Sequence, residues 1–312
     1  MADTRNDLTR TVSLFGAAAV FGVGIAAVAL MAGTAARLIR LQSDTYLESL
    51  TRRTANLIQR TLDERKHEVL VLAATRELVQ LAQTWSDNVA REGLDQVPFS
   101  ELEKRYSGTR MLASDVATRN FVISAASHVS FSDLVLTERR GLVISAVGAP
   151  AALVRSRELW WRMARDSGFY QGPPITDSVN GVYALEFAAV LGGAGRGNAV
   201  GVLRAEYPLG PLAYLIQNDM DIQDTAGVSV EVVAENGVVV YASDDATRIG
   251  SRFADDSLFA AAAGDVHLAS VRGAGGVKRV AVAGIRDPGW HLIIRKPPVG
   301  FRQVLKGFDR GT

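Results

Sequence analysis

Residues Val228–Ser243, VSVEVVAENGVVVYAS, decide the fold. Two β-branched runs flank Ala234-Glu-Asn-Gly237, and Asn236-Gly237 tolerates the positive φ that a tight hairpin turn demands. About a hundred residues earlier, Phe131–Ala146, FSDLVLTERRGLVISA, has the same layout around Gly141. Each hairpin precedes a loop-plus-helix stretch and then a second pair of apolar runs around a Gly-rich turn. In the first copy these runs are Tyr183–Val190 and Val200–Glu206. In the second they are His267–Arg272 and Arg279–Ile285, with a further strand at Trp290–Arg295. The chain therefore reads as an internal duplication: two small antiparallel sheets in series, each decorated by helices.

Outward from the sheets, residues 37–85 hold neither Pro nor Gly. Leu47, Leu50, Leu57, Ile58, Leu62, Val69, Leu72, Leu78 and Leu81 recur at three- and four-residue steps, the signature of a long helix with one apolar stripe. Two readings fit it: a helix packed on its own domain, and a stalk paired with a second copy as in a coiled coil. Gly93 and Pro98 end it, and a second helical stretch covers about 100–127. Further back, residues 11–36 hold no charged side chain. That run exceeds the ~20 apolar residues a membrane helix needs and the ~7–15 of a cleavable signal peptide. Positive charge is greater after the run (Arg37, Arg40, Arg52, Arg53) than before it (Arg5, Arg10), which by itself would put the C-terminal side inside.

Composition narrows the chemistry. The chain has 312 residues, with 34 Lys+Arg against 33 Asp+Glu, so no basic excess is available to neutralise nucleic-acid phosphates. It has no Cys, which excludes disulfides, thiolate metal sites and thiol nucleophiles. His67, His128, His267 and His291 stand singly, without metal-ligand spacing. Gly192–Gly197 lacks the Lys-Ser/Thr ending of a phosphate loop, and Asp244-Asp245 and Asp255-Asp256 read as turn and surface acids. No enzymatic role and no cofactor are expected.

The helix Arg157-Glu-Leu-Trp160-Trp161-Arg-Met-Ala164, the turn Gly168-Phe-Tyr170-Gln-Gly172, then Asp177, Gly181 and the strand Gly201-Val-Leu-Arg-Ala-Glu206 resemble the extracytoplasmic double Cache sensor region of bacterial transmembrane receptors. Asp287-Pro-Gly289-Trp290 is similar to the closing strand of that family's second module. The resemblance implies an α+β fold: an N-terminal transmembrane helix, a long stalk helix and two tandem PAS-like antiparallel-sheet (Cache) modules. It divides the chain into a cytoplasmic tail (1–11), the membrane helix (12–36), the stalk (37–96), a membrane-distal module (97–225), a membrane-proximal module (226–296) and an exit helix toward a second membrane segment (297–312). It places residues 37–312 outside the cytoplasm of a bacterial inner membrane, against the charge count. It also implies that the chain is the sensor part of a longer receptor, the alternative being a complete protein with one anchor.

By the same resemblance, a small-molecule ligand of amine or carboxylate type would lie among Arg157, Trp160, Trp161, Tyr170, Asp177, Tyr183 and Glu206, and the stalk would form a homodimer. Aromatic walls with a few fixed charges suit such a ligand. The sequence departs from the amino-acid-binding branch. Glu158 stands where that branch has Arg, Trp161 where it has Tyr, and Glu206 where it has Asp. This argues against free α-amino acids and leaves amines, other carboxylates, or no ligand. The alternative function is a ligand-free, membrane-tethered protein-interaction module of the same fold.

Overall fold

In a computed structural model, the described residues are 3–113, 115–127, 131–176, 183–193, 199–221, 227–255, 258–259, 265–273 and 276–296; within them the side chains of 3–26, 28–29, 36, 221, 273 and 276 also lie outside the description. Helix α1 runs Asp3–Ala74 and α2 runs Arg76–Arg91. Among the described residues no helix is long and apolar enough to cross a membrane. Most of the apolar run at 12–36 belongs to side chains outside the description, as do the exit-helix residues 297–312. The chain divides into two compact units, 1–50 and 51–312. The first is helical throughout its described length. The second holds both sheets.

The long helix is not continuous to Gly93, as the sequence pattern predicts. It breaks at Thr75, whose backbone turns extended (φ −64°, ψ 134°) while its hydroxyl donates to the Leu72 carbonyl at 2.7 Å. A Thr side chain that bonds a carbonyl one turn back offers the chain an alternative to the helical ladder, and nothing in the apolar spacing reveals it. The stretch at 100–127 is likewise two helices, α3 (Phe99–Arg105) and α4 (Val116–Ser127). Between them Arg110 takes a positive φ of 53°.

Two five-stranded sheets follow. The first has β1 (Asp133–Glu138), β2 (Val143–Ala146), β3 (Phe169–Thr176), β4 (Tyr183–Leu191) and β5 (Gly201–Pro208), in the order β2-β1-β5-β4-β3. Helix α5 (Leu159–Ser167) precedes β3, and α6 (Gly210–Asp221) leaves β5. The second has β6 (Ser229–Val233), β7 (Val239–Ala242), β8 (His267–Gly273), β9 (Gly276–Ile285) and β10 (Trp290–Lys296), in the order β7-β6-β10-β9-β8. Strand β3 is absent from the sequence reading because Pro173 and Pro174 interrupt it. It survives as an edge strand with a register shift between Gln171 and Pro174, the setting in which a sheet tolerates Pro. Of the helix expected after the second hairpin, the described residues show one tight turn, Ala246–Arg248; residues 256–257 and 260–264 lie outside the description.

The duplication extends to individual residues. Val135 faces Ala146 and the register slips after Leu136; Glu231 faces Ala242 and the register slips after Val232. The turn glycines Gly141 and Gly237 take φ of 84° and 81°. Each accepts at its carbonyl from a residue beyond its strand pair, Arg155 in one case and Phe253 in the other. Side chains alternate across each sheet. In the first, Leu136, Phe187 and Leu203 lie fully buried on the face toward α1 and α2, where Arg65 stands over Tyr207 and Lys66 over Phe169. The opposite face carries Val202 and Ala188 beneath α5.

Beyond Thr51, α1 touches both sheets. Lys66 pairs with Asp287 in the β9–β10 turn at 2.7 Å, Gln59 donates to the Asp287 carbonyl, and Arg53 pairs with Asp219 of α6. One helix thereby spans the two modules as a common backing.

Candidate functional site

The α5 face of the first sheet is built by strand register. Asp133 of β1 lies opposite Glu206 of β5, and Glu206 lies opposite Glu186 of β4. Three carboxylates thus stand in one row across three adjacent strands. One row over, Val135, Arg204, Ala188 and Tyr170 are aligned. Like charges directly opposite one another oppose strand pairing, so this row needs a counter-charge. Arg204 supplies it: Nε donates to Glu186 at 2.6 Å, one terminal nitrogen pairs with Glu206, and the other lies 3.7 Å from Asp133. Glu206 is wholly buried, Asp133 is 5% exposed and Glu186 8%. Arg204 is thus shared by three carboxylates.

Electrostatics follow from burial. Desolvation lifts the Glu186 carboxyl above its ordinary 4.5, against the pull of Arg204 and with help from Glu206 and Glu158. Burial would push Arg204 down, but the Glu186 and Glu206 carboxylates more than reverse this and keep its guanidinium charged. Tyr170 is also held up, first by burial and then by Glu186. The two are close because Gly172 adds no side chain there: a β-carbon on Gly172 would lie 3.1 Å from the Tyr170 hydroxyl and 3.2 Å from Glu186 Oε2.

Helix α5 roofs the row. Trp160 and Trp161 are each 3% exposed, with Ala164 buried beside them. Adjacent residues on a helix diverge by ~100°, and the two rings do different things. Trp160 lies beneath the Arg204 guanidinium, 5.7 Å from its centroid, and donates its indole N–H to Glu158. Trp161 donates to the Thr137 hydroxyl at 3.1 Å, and Thr137 donates in turn to the Val202 carbonyl. Burying rings of 150–250 Å² is worth about 4–6 kcal/mol each as an upper bound. Both tryptophans therefore hold α5 to the sheet.

Of the residues singled out in the sequence, the structure brings Trp160, Tyr170 and Glu206 together around Arg204, with Trp161 alongside. Arg157 is elsewhere: it is exposed, with its guanidinium 5.8 Å from the Phe99 ring centroid. Tyr183 starts β4 but turns its hydroxyl onto Gly250 of the second sheet. Asp177 and Gly181 lie outside the described residues. Sequence reasoning missed Asp133, Glu186, Arg204 and Thr137. Their signal is strand alternation: in YALEFAAVL, Glu186 is the one acid, and it falls in register with Glu206.

Tandem five-stranded sheets of one topology, backed by a shared long helix, are the architecture of double Cache sensor domains. No family sequence model matches the chain, and none of the curated proteins does. Solved structures do match in fold. The ligand-binding domain of the Pseudomonas aeruginosa PAO1 amino acid chemoreceptor PctC, in complex with GABA, is 16% identical with a TM-score of 0.54, over 81% of this chain and 99% of that one. The PctB domain from the same organism, in complex with L-Arg, is 14% identical with a TM-score of 0.55, over 86% and 93%. The sensory domain of the Campylobacter jejuni chemoreceptor Tlp3, with isoleucine bound, is 10% identical with a TM-score of 0.56, over 83% and 94%. At these identities the likeness is one of fold.

Proposed function

We propose that the chain is the extracytoplasmic sensor region of a membrane receptor, that its first sheet binds a small cationic amine on the α5 face, and that the resulting change passes along α1 to a membrane helix at 12–36. The observation that carries this reading is the row of three buried carboxylates that share Arg204 on the α5 face. Acids gathered on one face favour a ligand with an ammonium group, fixed by a short charge-assisted hydrogen bond. Trp160 and Tyr170 are its apolar walls, and Glu206, Glu186 and Asp177 its anchors. The neighbouring sensor domains hold amines that also bear a carboxylate. Arg157 and Arg162 are the arginines of the α5 motif that could pair such a carboxylate; both are exposed and Arg157 lies by Phe99, which favours amines without one.

The homodimer stays part of this reading as the resemblance implies it. An open groove of about 570 Å³ runs along α1, lined by the polar side chains of Asn56, Gln59, Arg60, Asp63, Glu64 and His67.

A second reading has its own observation. Both indole N–H groups at α5 are bonded within the protein, which suits a packed, ligand-free interaction module. Thermal shift of the full chain in mild detergent separates the two, since a ligand of the native state raises stability by mass action. A panel of primary amines, α-amino acids and dicarboxylates is expected to give stabilisation by amines alone, lost in Glu206→Gln. No shift from any compound, together with a stoichiometric protein partner in the purified sample, establishes the interaction module instead.

A further inference from the structure

We infer that Tyr183 and Gly250 form a latch that makes strand β4 of the first sheet and the 246–251 loop of the second move together. The seat is shaped for this contact. A β-carbon built on Gly250 would overlap the Tyr183 hydroxyl and Cζ and lie 3.0 Å from its Cε2, and the Gly250 backbone has φ of 84°, a conformation that L side chains rarely adopt. Gly237 shows that the turn alone does not explain this. Its φ is 81°, yet a β-carbon there meets nothing nearer than Arg252 Nε at 4.0 Å. At Gly250 the missing side chain serves the turn and also admits a tyrosine from the other module.

Each end of the latch is anchored. The Tyr183 carbonyl accepts from Leu209 at 2.9 Å, and Tyr183 faces Thr176 on β3. Glu186 lies three residues along the same strand, about 10 Å at the usual rise per residue. On the other side, Gly250 donates to the Val239 carbonyl at 2.8 Å, and Val239 donates to the Ser251 carbonyl at 2.9 Å, which stitches the loop to β7. Arg248, two residues before Gly250, pairs with wholly buried Glu231 on β6, and Glu231 also takes Arg295 on β10. A displacement of β4 therefore reaches β7, β6 and the last described strand through one tyrosine and one buried carboxylate. The latch rests on the sensor reading only for the direction in which a signal runs through it.

Hydrogen exchange on the ligand-free full chain tests it. Tyr183→Ala is expected to speed exchange of the Gly250 and Val239 amides at least tenfold while the Leu203 amide in the first sheet stays protected. Gly250→Ala, acting from the other side, is expected to speed exchange of the Leu209 amide, and this effect should vanish when Tyr183→Ala is already present. Unchanged Gly250 and Val239 exchange in Tyr183→Ala overturns the latch, as does an equal rise at Leu203, and the Tyr183→Ala measurement decides even if Gly250→Ala fails to fold. No ligand enters the measurement, so failure of the latch leaves the sensor reading standing, and a failed ligand screen leaves the latch standing.

Discussion

Replacing Arg204 with Met removes the guanidinium that a row of three acids shares. Arg204 bonds Glu186 at 2.6 Å, pairs with Glu206 and reaches Asp133 at 3.7 Å, and all three carboxylates are at least nine-tenths buried. Directly opposed residues in an antiparallel pair have Cβ atoms about 5 Å apart. At an effective dielectric of about 20, two like unit charges at that distance repel by about 3 kcal/mol. The row contains two such neighbouring pairs, but the carboxyls escape part of the repulsion by taking up protons. A loss of about 3–5 kcal/mol at pH 7 is expected, the range found when a buried pair loses one partner. The assay is urea unfolding followed by tryptophan fluorescence, with the change read from the midpoint. The sign of the pH dependence is fixed. Burial raises the Glu186 carboxyl and Arg204 pulls it down, so without Arg204 that carboxyl stands further above its unfolded value, and the variant keeps its stability at pH 4 and loses it as pH rises toward 7. Glu186→Gln in the same background should restore part of the loss. A deficit below about 1 kcal/mol that does not change between pH 4 and 7 would refute the account of the row as acids held in place by Arg204.

Three further outcomes follow from the same geometry. Because burial raises the Glu186 pKa, binding of a cationic amine should release a proton, and affinity should climb as pH rises from about 4.5 through that raised value; calorimetry in buffers of different ionisation enthalpy reads the proton count. Gly237→Ala forces an L side chain to φ of 81° and should destabilise the second sheet by about 1–2 kcal/mol without altering the first, seen as lost protection at the Val230 and Val232 amides. Trp161→Phe keeps most of the buried area but leaves the Thr137 hydroxyl without its indole donor, a cost of about 0.5–1.5 kcal/mol in urea unfolding.

Both hairpins, the duplication and nine of the ten described strands are legible in the sequence because they rest on local signals: a turn glycine between β-branched runs, repeated at a fixed offset. What escapes the sequence is set by tertiary contact. Strand β3 exists despite Pro173-Pro174 because β4 offers it a partner and its outer edge needs no donor. The break at Thr75 lies within an unbroken apolar stripe, and Thr residues with the same back-bond elsewhere in α1 do not break it. At the site, residue types on the recognisable α5 motif are legible, while Asp133, Glu186 and Arg204 become a group only when the register between strands is known. Tyr183 shows the converse. An aromatic at the right distance from the motif is spent on the neighbouring module.

The duplication allows the proposed site on the first sheet to be compared with its counterpart on the second. Since Val135 and Glu231 hold equivalent places, the registers make Asp133 equivalent to Ser229, Arg204 to Ile293, Glu206 to Arg295 and Glu186 to Val280. The acid row of the first module thus becomes Ser229, Arg295 and Val280 in the second, and a carboxylate appears one row over as Glu231. That carboxylate is wholly buried and takes both Arg295 and Arg248, so the second module supplies an anion from its own strand to the cations on its ligand-facing side. Phe253 and Phe259, in contact at 5.2 Å between centroids, pack with the same face. In one module three buried acids share a strand arginine beneath α5; in the other a single buried acid takes two arginines. Under the proposed function the first copy carries the site, while in the second Glu231 ties β6 to β10 and to the 246–251 loop.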